Sequence, residues 1–400
     1  MPNNIAMNKP SRHENMSLLI ELNSPKSSPL PKEYFYPEHG GQAHLLQPAF
    51  FKAKNWVDFS ASINPLGPSR NIEQVFEESL STISRYPDPQ STELKQALSN
   101  YLETEESRLV ITNGATELIY LLPHLMKSGQ EVLALVPIFS EYLKAFRLSK
   151  VPVRTLAYDI GKGFEPPIDK LIDSLKKNPR IGAVVIGHPN SPTGRLWEER
   201  ELNVLAKHCE DKGKLLIVDE TFIDFCPSGT SVLDQFKDFR NIISIRSMTK
   251  FFALPGLRLG YGVMDSKWVQ IIKKFQSPWS VNGLAQSFGL ASLKDKAFIK
   301  YSRSFAREQR EFLLKHLLDM PWLKAYPSEA NFILFRLRGS HETLPKRFYY
   351  QLLQEGILLR NCGNFEGLDE TYFRIGVRNS EENKLLLSKM KNYLSSWDIQ

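Results

Sequence analysis

The segment 247–261 constrains this chain more than any other stretch of its sequence. Lys250 follows two small hydroxyl residues, Ser247 and Thr249, and Arg258 comes eight positions later. A glycine and a proline between the lysine and the arginine predict a bent loop, not one continuous helix. Such a loop can bring both hydroxyl groups and the guanidinium to one point beside the Lys250 amine. Because these donors suit a phosphate dianion, the segment predicts a phosphate site next to an amine.

An amine beside a phosphate site is what a Schiff base to pyridoxal phosphate requires. A lone Ser-x-Thr-Lys pattern is more often a surface loop with an exposed lysine, but the fifteen-residue stretch as a whole is much more specific. It resembles the lysine segment of the fold-type I pyridoxal-phosphate enzymes, in the aminotransferase family that includes histidinol-phosphate aminotransferase. The resemblance implies that Lys250 carries pyridoxal 5'-phosphate as its cofactor, with Ser247, Thr249 and Arg258 around the phosphate group.

Composition narrows the class of protein. The chain has 400 residues, 42% of them hydrophobic, which is enough for two or three domains with their own cores. The chain has three cysteines, Cys209, Cys226 and Cys362, which lie far apart in sequence. An odd number of widely spaced cysteines predicts neither a disulfide framework nor a metal site, and we expect a cytoplasmic location. The sequence contains no run of about 18 apolar residues, so no membrane span is expected. The net charge is +7, but the basic residues are scattered, so the expected partners are small anions and not nucleic acid.

The resemblance extends over residues 36–395 and implies an α/β architecture. A large domain at 86–285 is expected to bind the cofactor and to carry a mostly parallel sheet flanked by helices. A smaller α+β domain is expected to combine 34–85 with 286–400. Residues 1–33 are rich in Asn, Ser, Pro and Lys, and we expect a flexible extension there. Members of the family are homodimers with shared active sites, so a homodimer is expected here.

A strand-to-helix turn predicts a second contact to the cofactor phosphate. The apolar run 109–113 leads into Gly114, Ala115 and Thr116. Their small side chains leave the amides of a helix N-terminus open to an anion. An ordinary turn with a threonine cap is the common alternative. The match to the phosphate-binding turn of the family favours a role in cofactor binding.

Asp219 ends an apolar strand and lies 31 residues before Lys250. A carboxylate at the end of a strand is well placed for a ligand in an α/β crevice, although aspartate also caps helices. By resemblance, Asp219 faces the pyridine nitrogen and acts with Lys250 in catalysis, and Phe139 stacks on the ring. Many aminotransferases carry a tyrosine three residues after this acid, where the present chain has Phe222.

The turn 188–194 departs from the Asn-Pro-Thr-Gly pattern of the family. The asparagine that normally contacts the ring 3-oxygen directly precedes Pro-Thr-Gly, and Ser191 holds that position here. Asn190 lies one residue earlier. Either Ser191 takes the role with a shorter reach, or Asn190 is shifted into it. The sequence leaves both alternatives open.

An Arg-Tyr-Pro motif places Tyr86 before a proline, which holds the chain extended at that point. The resemblance implies that Tyr86 reaches across the dimer to the cofactor phosphate of the other subunit. For the residue taken alone, a half-buried aromatic side chain in a loop is nearly as good an interpretation.

Three motifs resemble the threonine-phosphate decarboxylases of cobamide (vitamin B12-type) synthesis, which are close relatives of histidinol-phosphate aminotransferase. They are the His-Gly-Gly opening with the later Asp-Phe-Ser-Ala-x-Ile-Asn-Pro-Leu-Gly, the phenylalanine at 222, and Arg-Asn-Cys at 360–362. Arg374 interrupts an apolar strand, where its charge needs an anionic partner such as a substrate carboxylate. The substrate-binding residues that follow are His39, Gly40, Gly41, Asn64, Arg360 and Arg374.

The activity that this resemblance implies is decarboxylation of L-threonine O-3-phosphate to (R)-1-aminopropan-2-yl phosphate, the linker of the cobamide nucleotide loop. L-Serine O-phosphate, which gives ethanolamine phosphate, is a close rival, because one methyl group supplies only about 1–3 kcal/mol of discrimination. The main alternative is histidinol-phosphate aminotransferase or a related aminotransferase, which would require a keto acid. A regulator that uses this fold as a sensor is a third hypothesis, but the sequence shows no helix-turn-helix pattern.

Overall fold

The computed structural model describes residues 36–43, 56–227, 230–235, 239–339 and 343–395. The flexible extension expected at 1–33 lies outside the described residues. Within the described ranges, no helix is both long enough and apolar enough to cross a membrane.

Strands and helices alternate through most of the described chain. The strands are β1 (Val57–Asp58), β2 (Leu109–Asn113), β3 (Glu131–Val136), β4 (Val153–Ala157), β5 (Ile181–Gly187), β6 (Leu215–Asp219), β7 (Ile242–Ser247), β8 (Leu259–Val263), β9 (Leu323–Ala325), β10 (Phe332–Leu337), β11 (Ile357–Leu358), β12 (Arg360–Asn361) and β13 (Tyr372–Gly376). The helices are α1 (Ile72–Leu80), α2 (Thr92–Leu102), α3 (Gly114–Leu121), α4 (Ser140–Leu148), α5 (Ile168–Lys177), α6 (Glu199–Asp211), α7 (Val232–Gln235), α8 (Ser266–Phe275), α9 (Gly283–Lys294), α10 (Lys296–Leu318), α11 (Leu344–Gln354) and α12 (Ser380–Ser395).

A seven-stranded sheet lies at the centre of the fold, in the order β2-β8-β7-β6-β5-β3-β4. β8 runs antiparallel to both of its neighbours, and the other strands are parallel to one another. The middle strands β5, β6 and β7 are buried along their whole length. Helices cover both faces of such a sheet, so its strands are mostly apolar, as β5 is along its whole length. β7 is the exception, because it carries the buried polar residues Ser244 and Arg246.

Alternate side chains of each middle strand enter two separate hydrophobic cores. Along β5, Ala183 and Val185 pack in the core that includes α3, α4 and α8. Val184 and Ile186 point to the opposite face and pack in the core that includes α5 and α6. The predicted α/β architecture, a mostly parallel sheet flanked by helices, is therefore confirmed.

A second, antiparallel sheet has the order β12-β13-β10-β9. Beside it, β1 pairs in parallel with β11, so that Val57 lies opposite Ile357. This pairing joins a segment from early in the chain to the C-terminal part. The boundaries placed at residues 85 and 285 stay a prediction.

The topology brings functional candidates to one edge of the large sheet. Parallel strands share the edge at which their carboxyl ends lie, and ligands of α/β proteins bind there. β2 leads into α3 at this edge, β6 ends at Asp219, and β7 ends at Ser247. The residues that follow these three strands therefore meet in space, although more than 100 positions separate the end of β2 from the ends of β6 and β7.

Candidate active site

A cavity of about 450 Å³ opens at the carboxyl edge of the seven-stranded sheet. The large sheet and its connecting turns form one side, and the segment 36–43 with the smaller sheet forms the other. Of the residues that the sequence predicts for the site, those lining the cavity are His39, Gly40, Ala115, Thr116, Phe139, Ser191, Asp219, Ser247, Thr249, Lys250, Arg258, Arg360 and Arg374.

The loop after β7 is bent by hydrogen bonds between small hydroxyl residues. Ser247 Oγ and Thr249 Oγ1 lie 2.7 Å apart, and the Thr249 amide donates to Ser247 Oγ at 3.2 Å. The carbonyl of the next residue, Lys250, accepts the Asn64 amide at 3.0 Å. These bonds fix the backbone at Lys250 while its side chain lines the cavity.

Burial lowers the pKa of Lys250 to about 8, and the positive charges of Arg374 and Arg258 add to the shift. At pH 7, about a tenth of amines with this pKa are neutral, against fewer than about one in a thousand for an ordinary lysine. Only the neutral amine has the lone pair that attacks a carbonyl carbon or accepts a proton. The cavity therefore prepares Lys250 as a nucleophile and base near neutral pH.

Arg258 closes on the N-terminus of α3. Gly114, the first residue of this helix, has φ +74°, and a Cβ placed on it would lie 2.8 Å from Arg258 Nη2. The missing side chain thus lets the guanidinium approach the helix end, where Ala115 and Thr116 line the cavity. Helix amides, a guanidinium and hydroxyl groups together make a site for a phosphate dianion.

Asp219 is a buried carboxylate at the end of β6. It is 5% exposed, and its Oδ1 accepts the Thr221 amide at 3.0 Å. Burial raises the pKa of Asp219, and its charge in turn helps to raise the pKa of the buried Tyr142 hydroxyl beside it. In the part of the chain that the structure describes, no lysine, arginine or histidine forms an ion pair with Asp219. A cation bound in the cavity would supply the missing partner.

The structure separates the roles of Ser191 and Asn190. Ser191 lines the cavity, and its Oγ accepts Arg374 Nη1 at 3.0 Å. Asn190 is turned into the protein, where Nδ2 donates to the Pro137 carbonyl at 3.0 Å and Oδ1 accepts the Thr193 hydroxyl at 2.9 Å. Both ends of the Asn190 amide are thus used to hold the turn, and Ser191 is the residue that a ligand can reach.

Two arginines lie side by side on the small-sheet wall. Arg374 on β13 is directly opposite Arg360 on β12, and both are less than 10% exposed. Burial lowers the pKa of Arg374 to about 10, and its Nε makes no hydrogen bond with any residue that the structure describes. Arg360 donates to the Pro37 carbonyl at 3.2 Å and to Asn364 Oδ1 at 2.7 Å. Among the described residues, neither arginine pairs with a carboxylate, so an anionic ligand would offset their repulsion.

Comparison with known proteins identifies the family. Residues 54–390 match the family model described as "Aminotransferase class I and II". The chain belongs to this family. It is 35% identical to the threonine-phosphate decarboxylase of Salmonella typhimurium, over 85% of this chain and 91% of that protein.

Two further relatives extend the comparison of this family member. An adenosylcobalamin biosynthesis bifunctional protein of Leptospira interrogans is 34% identical over 89% of this chain and 41% of its own length. Among solved structures, the histidinol-phosphate aminotransferase of Clostridium acetobutylicum superposes with a TM-score of 0.79 at 30% identity, over 85% of this chain and 99% of that chain. The fold-type I architecture that the lysine segment implied is confirmed.

Pyridoxal 5'-phosphate is the cofactor of this aminotransferase-family enzyme. The residues present fit it on three independent observations. Lys250 has a lowered pKa, the Arg258 guanidinium and the α3 N-terminus lie together where a phosphate would fit, and Asp219 is a buried carboxylate that makes no ion pair with the described residues. A protonated pyridine nitrogen is the cation that would complete the site at Asp219.

Replacing Gly114 with alanine is expected to raise the dissociation constant for pyridoxal 5'-phosphate about tenfold, because the added Cβ displaces Arg258. Titration of the cofactor-free protein, followed by visible absorbance, measures it. Gly129→Ala is the matched control, since Gly129 has φ +78° but nothing within 4 Å of an added Cβ. Both variants lose about 1 kcal/mol or more of stability to the left-handed backbone, and only Gly114→Ala should lose cofactor affinity. Equal affinities in the two variants would contradict the assignment.

The structure places Asn64, a predicted substrate contact, outside the lining of the cavity. Its Nδ2 donates to the Phe251 carbonyl and to Ser302 Oγ, both at 2.9 Å, and its Oδ1 accepts the Leu66 amide at 3.1 Å. The amide is thus fully used inside the protein, where it braces the Lys250 loop. Gly41 also lies outside the cavity lining, and its amide donates to Ser60 Oγ at 2.9 Å.

Tyr86 does not line the cavity of its own chain. It is 82% exposed and packs on Trp279 with ring centroids 4.8 Å apart. It borders a separate groove of about 1220 Å³ between α1 and α9. Its expected contact lies in another subunit, so that contact stays a prediction.

Sequence reasoning missed several residues that line the cavity, among them Ser60, Glu141, Lys144 and Phe365. Glu141 and Lys144 belong to the first turns of α4, where acidic and basic side chains are ordinary features of a solvated helix. Their spacing from Phe139 could have indicated this position. Residues that follow a ring-stacking residue within the first turns of a helix lie close to the same ligand.

Proposed function

We propose that this enzyme decarboxylates an O-phosphorylated amino acid, with L-threonine O-3-phosphate as the preferred substrate and L-serine O-phosphate as its rival. The relative from Salmonella typhimurium, named a threonine-phosphate decarboxylase, is matched over 91% of its length. The name of the Leptospira relative refers to adenosylcobalamin biosynthesis. Both names support a product destined for the linker of a cobamide.

The pair of buried arginines carries the proposal. Five lysine and arginine side chains line the cavity against two carboxylates: Lys144, Lys250, Arg258, Arg360 and Arg374 against Glu141 and Asp219. The cofactor phosphate accounts for the site at Arg258. The remaining cations require further anions, and an amino-acid phosphate supplies two, its carboxylate and its phosphate. Histidinol phosphate has no carboxylate, so it would leave more of these cations without an anionic partner.

The chain's own residues can perform the reaction. Arg374, whose guanidinium is turned toward Ser191, would hold an anionic group of the substrate and orient the bond to be broken. Asp219 would keep a proton on the ring nitrogen. The bound cofactor supplies a ring that withdraws the electron pair left on the α-carbon when carbon dioxide departs. Lys250 Nζ, with its lowered pKa, would deliver the proton that replaces the carboxylate.

Release of carbon dioxide by the holoenzyme tests the proposal. The enzyme is given O-phosphothreonine and then O-phosphoserine, with no keto acid present. We expect stoichiometric carbon dioxide together with the matching amino-alcohol phosphate, and the ratio of the two rates names the substrate. No carbon dioxide, but glutamate from histidinol phosphate and 2-oxoglutarate, would instead make the protein an aminotransferase.

A homodimer is the second part of the proposal. Large apolar side chains are exposed around the groove between α1 and α9: Phe76, Leu80, Ile83, Tyr86 and Trp279, each between 47% and 82%. A patch of this kind on a water-soluble chain favours burial against another surface. Sedimentation of the holoenzyme should give about twice the 45.9 kDa of one chain, and a mass of 45.9 kDa would contradict the dimer.

A further inference from the structure

Glu141 connects three elements that surround the cavity. It is the second residue of α4 and is only 7% exposed. Its Oε2 accepts the Tyr120 hydroxyl at 2.5 Å. Its Oε1 lies 3.3 Å from His39 Nε2 and 3.7 Å from Lys144 Nζ. One nearly buried carboxylate therefore links α3, α4 and the segment 36–43.

The partners of Glu141 set it apart from an ordinary structural carboxylate. Glu131, at the other end of the preceding strand β3, is equally buried and is held by Arg154, Arg180 and Asn178 away from the cavity. The cations beside Glu141 are instead His39 and Lys144, and both line the cavity. Its carboxylate thus acts on groups that a ligand can reach.

The exposure of the cavity cations separates two ends. Arg374 is 9% exposed and lies deep, whereas the side chains of His39 and Lys144 are 35% and 54% exposed and lie toward the opening. His39 also sits beside Phe139, with ring centroids 5.8 Å apart. A ligand with two anionic groups can therefore meet Arg374 with one group and the outer pair with the other.

The hydrogen bond from Tyr120 fixes the orientation of the Glu141 carboxylate. Tyr120 lies four positions after Thr116 on α3, so the two side chains share the face of the helix that looks toward the cavity. The hydrogen bond to Glu141 raises the pKa of Tyr120 to about 12, so the phenol remains a donor at all physiological pH values. With Oε2 occupied in this way, Oε1 stays directed at His39.

We propose that Glu141 is a positioning residue that accepts the Nε2–H of His39 and holds this ring and Lys144 at the cavity opening, where the two side chains bind the substrate anion that Arg374 does not reach. The inference rests on the proposed function, because it assumes a substrate with two anionic groups. A carboxylate beside a histidine ring nitrogen accepts its N–H and fixes the orientation of the ring. Glu141 would thus set substrate affinity without touching substrate or cofactor.

The test uses an unreactive probe and the holoenzyme. 3-Phosphonopropanoate carries a carboxylate and a phosphonate but no amine, and calorimetry gives its dissociation constant. Glu141→Gln should weaken binding about tenfold through loss of a charge-assisted contact. His39→Gln should weaken it by a similar factor, and the double variant should lose less affinity than the product of the two single losses, because Glu141 acts partly through His39. Glu131→Gln is the control, and it should leave binding unchanged although it lowers thermal stability.

Several results would overturn the inference. The first is probe binding by Glu141→Gln that equals wild-type binding, and the second is losses of affinity in the two single variants that multiply in the double variant. The others are an equal loss of affinity in Glu131→Gln and a wild-type enzyme that does not bind the probe. If Glu141→Gln does not fold, Tyr120→Phe replaces it in the test. This variant removes only the hydroxyl that donates to Glu141, and it should weaken probe binding several-fold. Carbon dioxide release by the wild type is measured separately, so failure of the decarboxylase proposal is distinguishable from failure of this one.

Discussion

Replacing Lys250 with methionine is expected to lower the rate of carbon dioxide release from O-phosphothreonine by about 10⁴-fold or more. The amine both holds the cofactor and moves a proton, and no second lysine lines the deep part of the cavity in the described chain. The visible absorbance of the bound cofactor should change at the same time, because its covalent bond to the protein is lost. Stopped-flow or radiometric carbon dioxide assays and absorbance spectra of the purified variant measure both effects.

Lys300→Met is the control for this experiment. Lys300 is exposed on α10 and lies outside the cavity lining, so rate and spectrum should match the wild type. A Lys250→Met enzyme that keeps a tenth of the wild-type rate, or keeps an unchanged cofactor spectrum, would remove Lys250 from the mechanism.

Without the cofactor, Lys250→Met should be more stable than the wild type by an amount that depends on pH. The folded protein holds the pKa of Lys250 at about 8, below the 10.5 of an unfolded lysine. Between these values the unfolded chain binds more protons, so wild-type stability rises with pH across this window. Lys250→Met removes the buried charge, and its advantage should be largest below pH 8 and fade toward pH 10.5. Denaturant unfolding of both cofactor-free proteins at several pH values checks the sign.

Replacing Arg374 with methionine is expected to lower kcat/KM for O-phosphothreonine by about 10²- to 10³-fold and, in the same protein, to raise stability. The loss of activity follows from removing a buried donor to the substrate anion. The gain in stability, roughly 1–3 kcal/mol, follows because Arg374 is 9% exposed, pairs with no carboxylate in the described chain, and lies opposite Arg360. Steady-state kinetics and denaturant unfolding of the cofactor-free protein measure the two effects.

Arg246→Met gives the opposite result and serves as the control. Arg246 is also buried, but its Nε donates to the fully buried Glu220 at 3.1 Å. Removing this arginine leaves an unpaired buried carboxylate and should lower stability by about 3–5 kcal/mol. If Arg374→Met is destabilised as strongly as Arg246→Met, then Arg374 has an internal structural role and its assignment to a substrate anion fails.

The fold was predictable because its constraints are local in sequence. A strand inside a sheet that is covered on both faces is mostly apolar, and the apolar run at 109–113 forms β2 with the same bounds. The polar residue that ends such a run, as Asp219 ends β6, lies at the ligand-binding edge for the same reason. The family and its cofactor followed from the lysine segment and are confirmed.

The use of each side chain was less predictable. Asn64 lies in a motif that resembles a substrate contact, yet its amide bonds with Phe251, 187 positions away, and Ser302, 238 positions away. A motif gives the residue but not the direction of its side chain. Asn190 and Ser191 were equivalent candidates in sequence, and the bonds of Asn190 to Pro137 and Thr193 decide that only Ser191 faces the cavity.

By itself the sequence located the apolar strands and the turns that follow them, because periodic burial and short-range turn chemistry are local in sequence. Its resemblance to a known family implied the α/β class, the cofactor and the residues expected at the carboxyl edge of the large sheet. The tertiary structure alone decided which charges meet. It set Arg374 beside Arg360 without a carboxylate and placed Glu141 behind His39. Such pairings depend on side chains from distant elements that share a small buried volume, where unpaired charge is costly and every partner is fixed by packing.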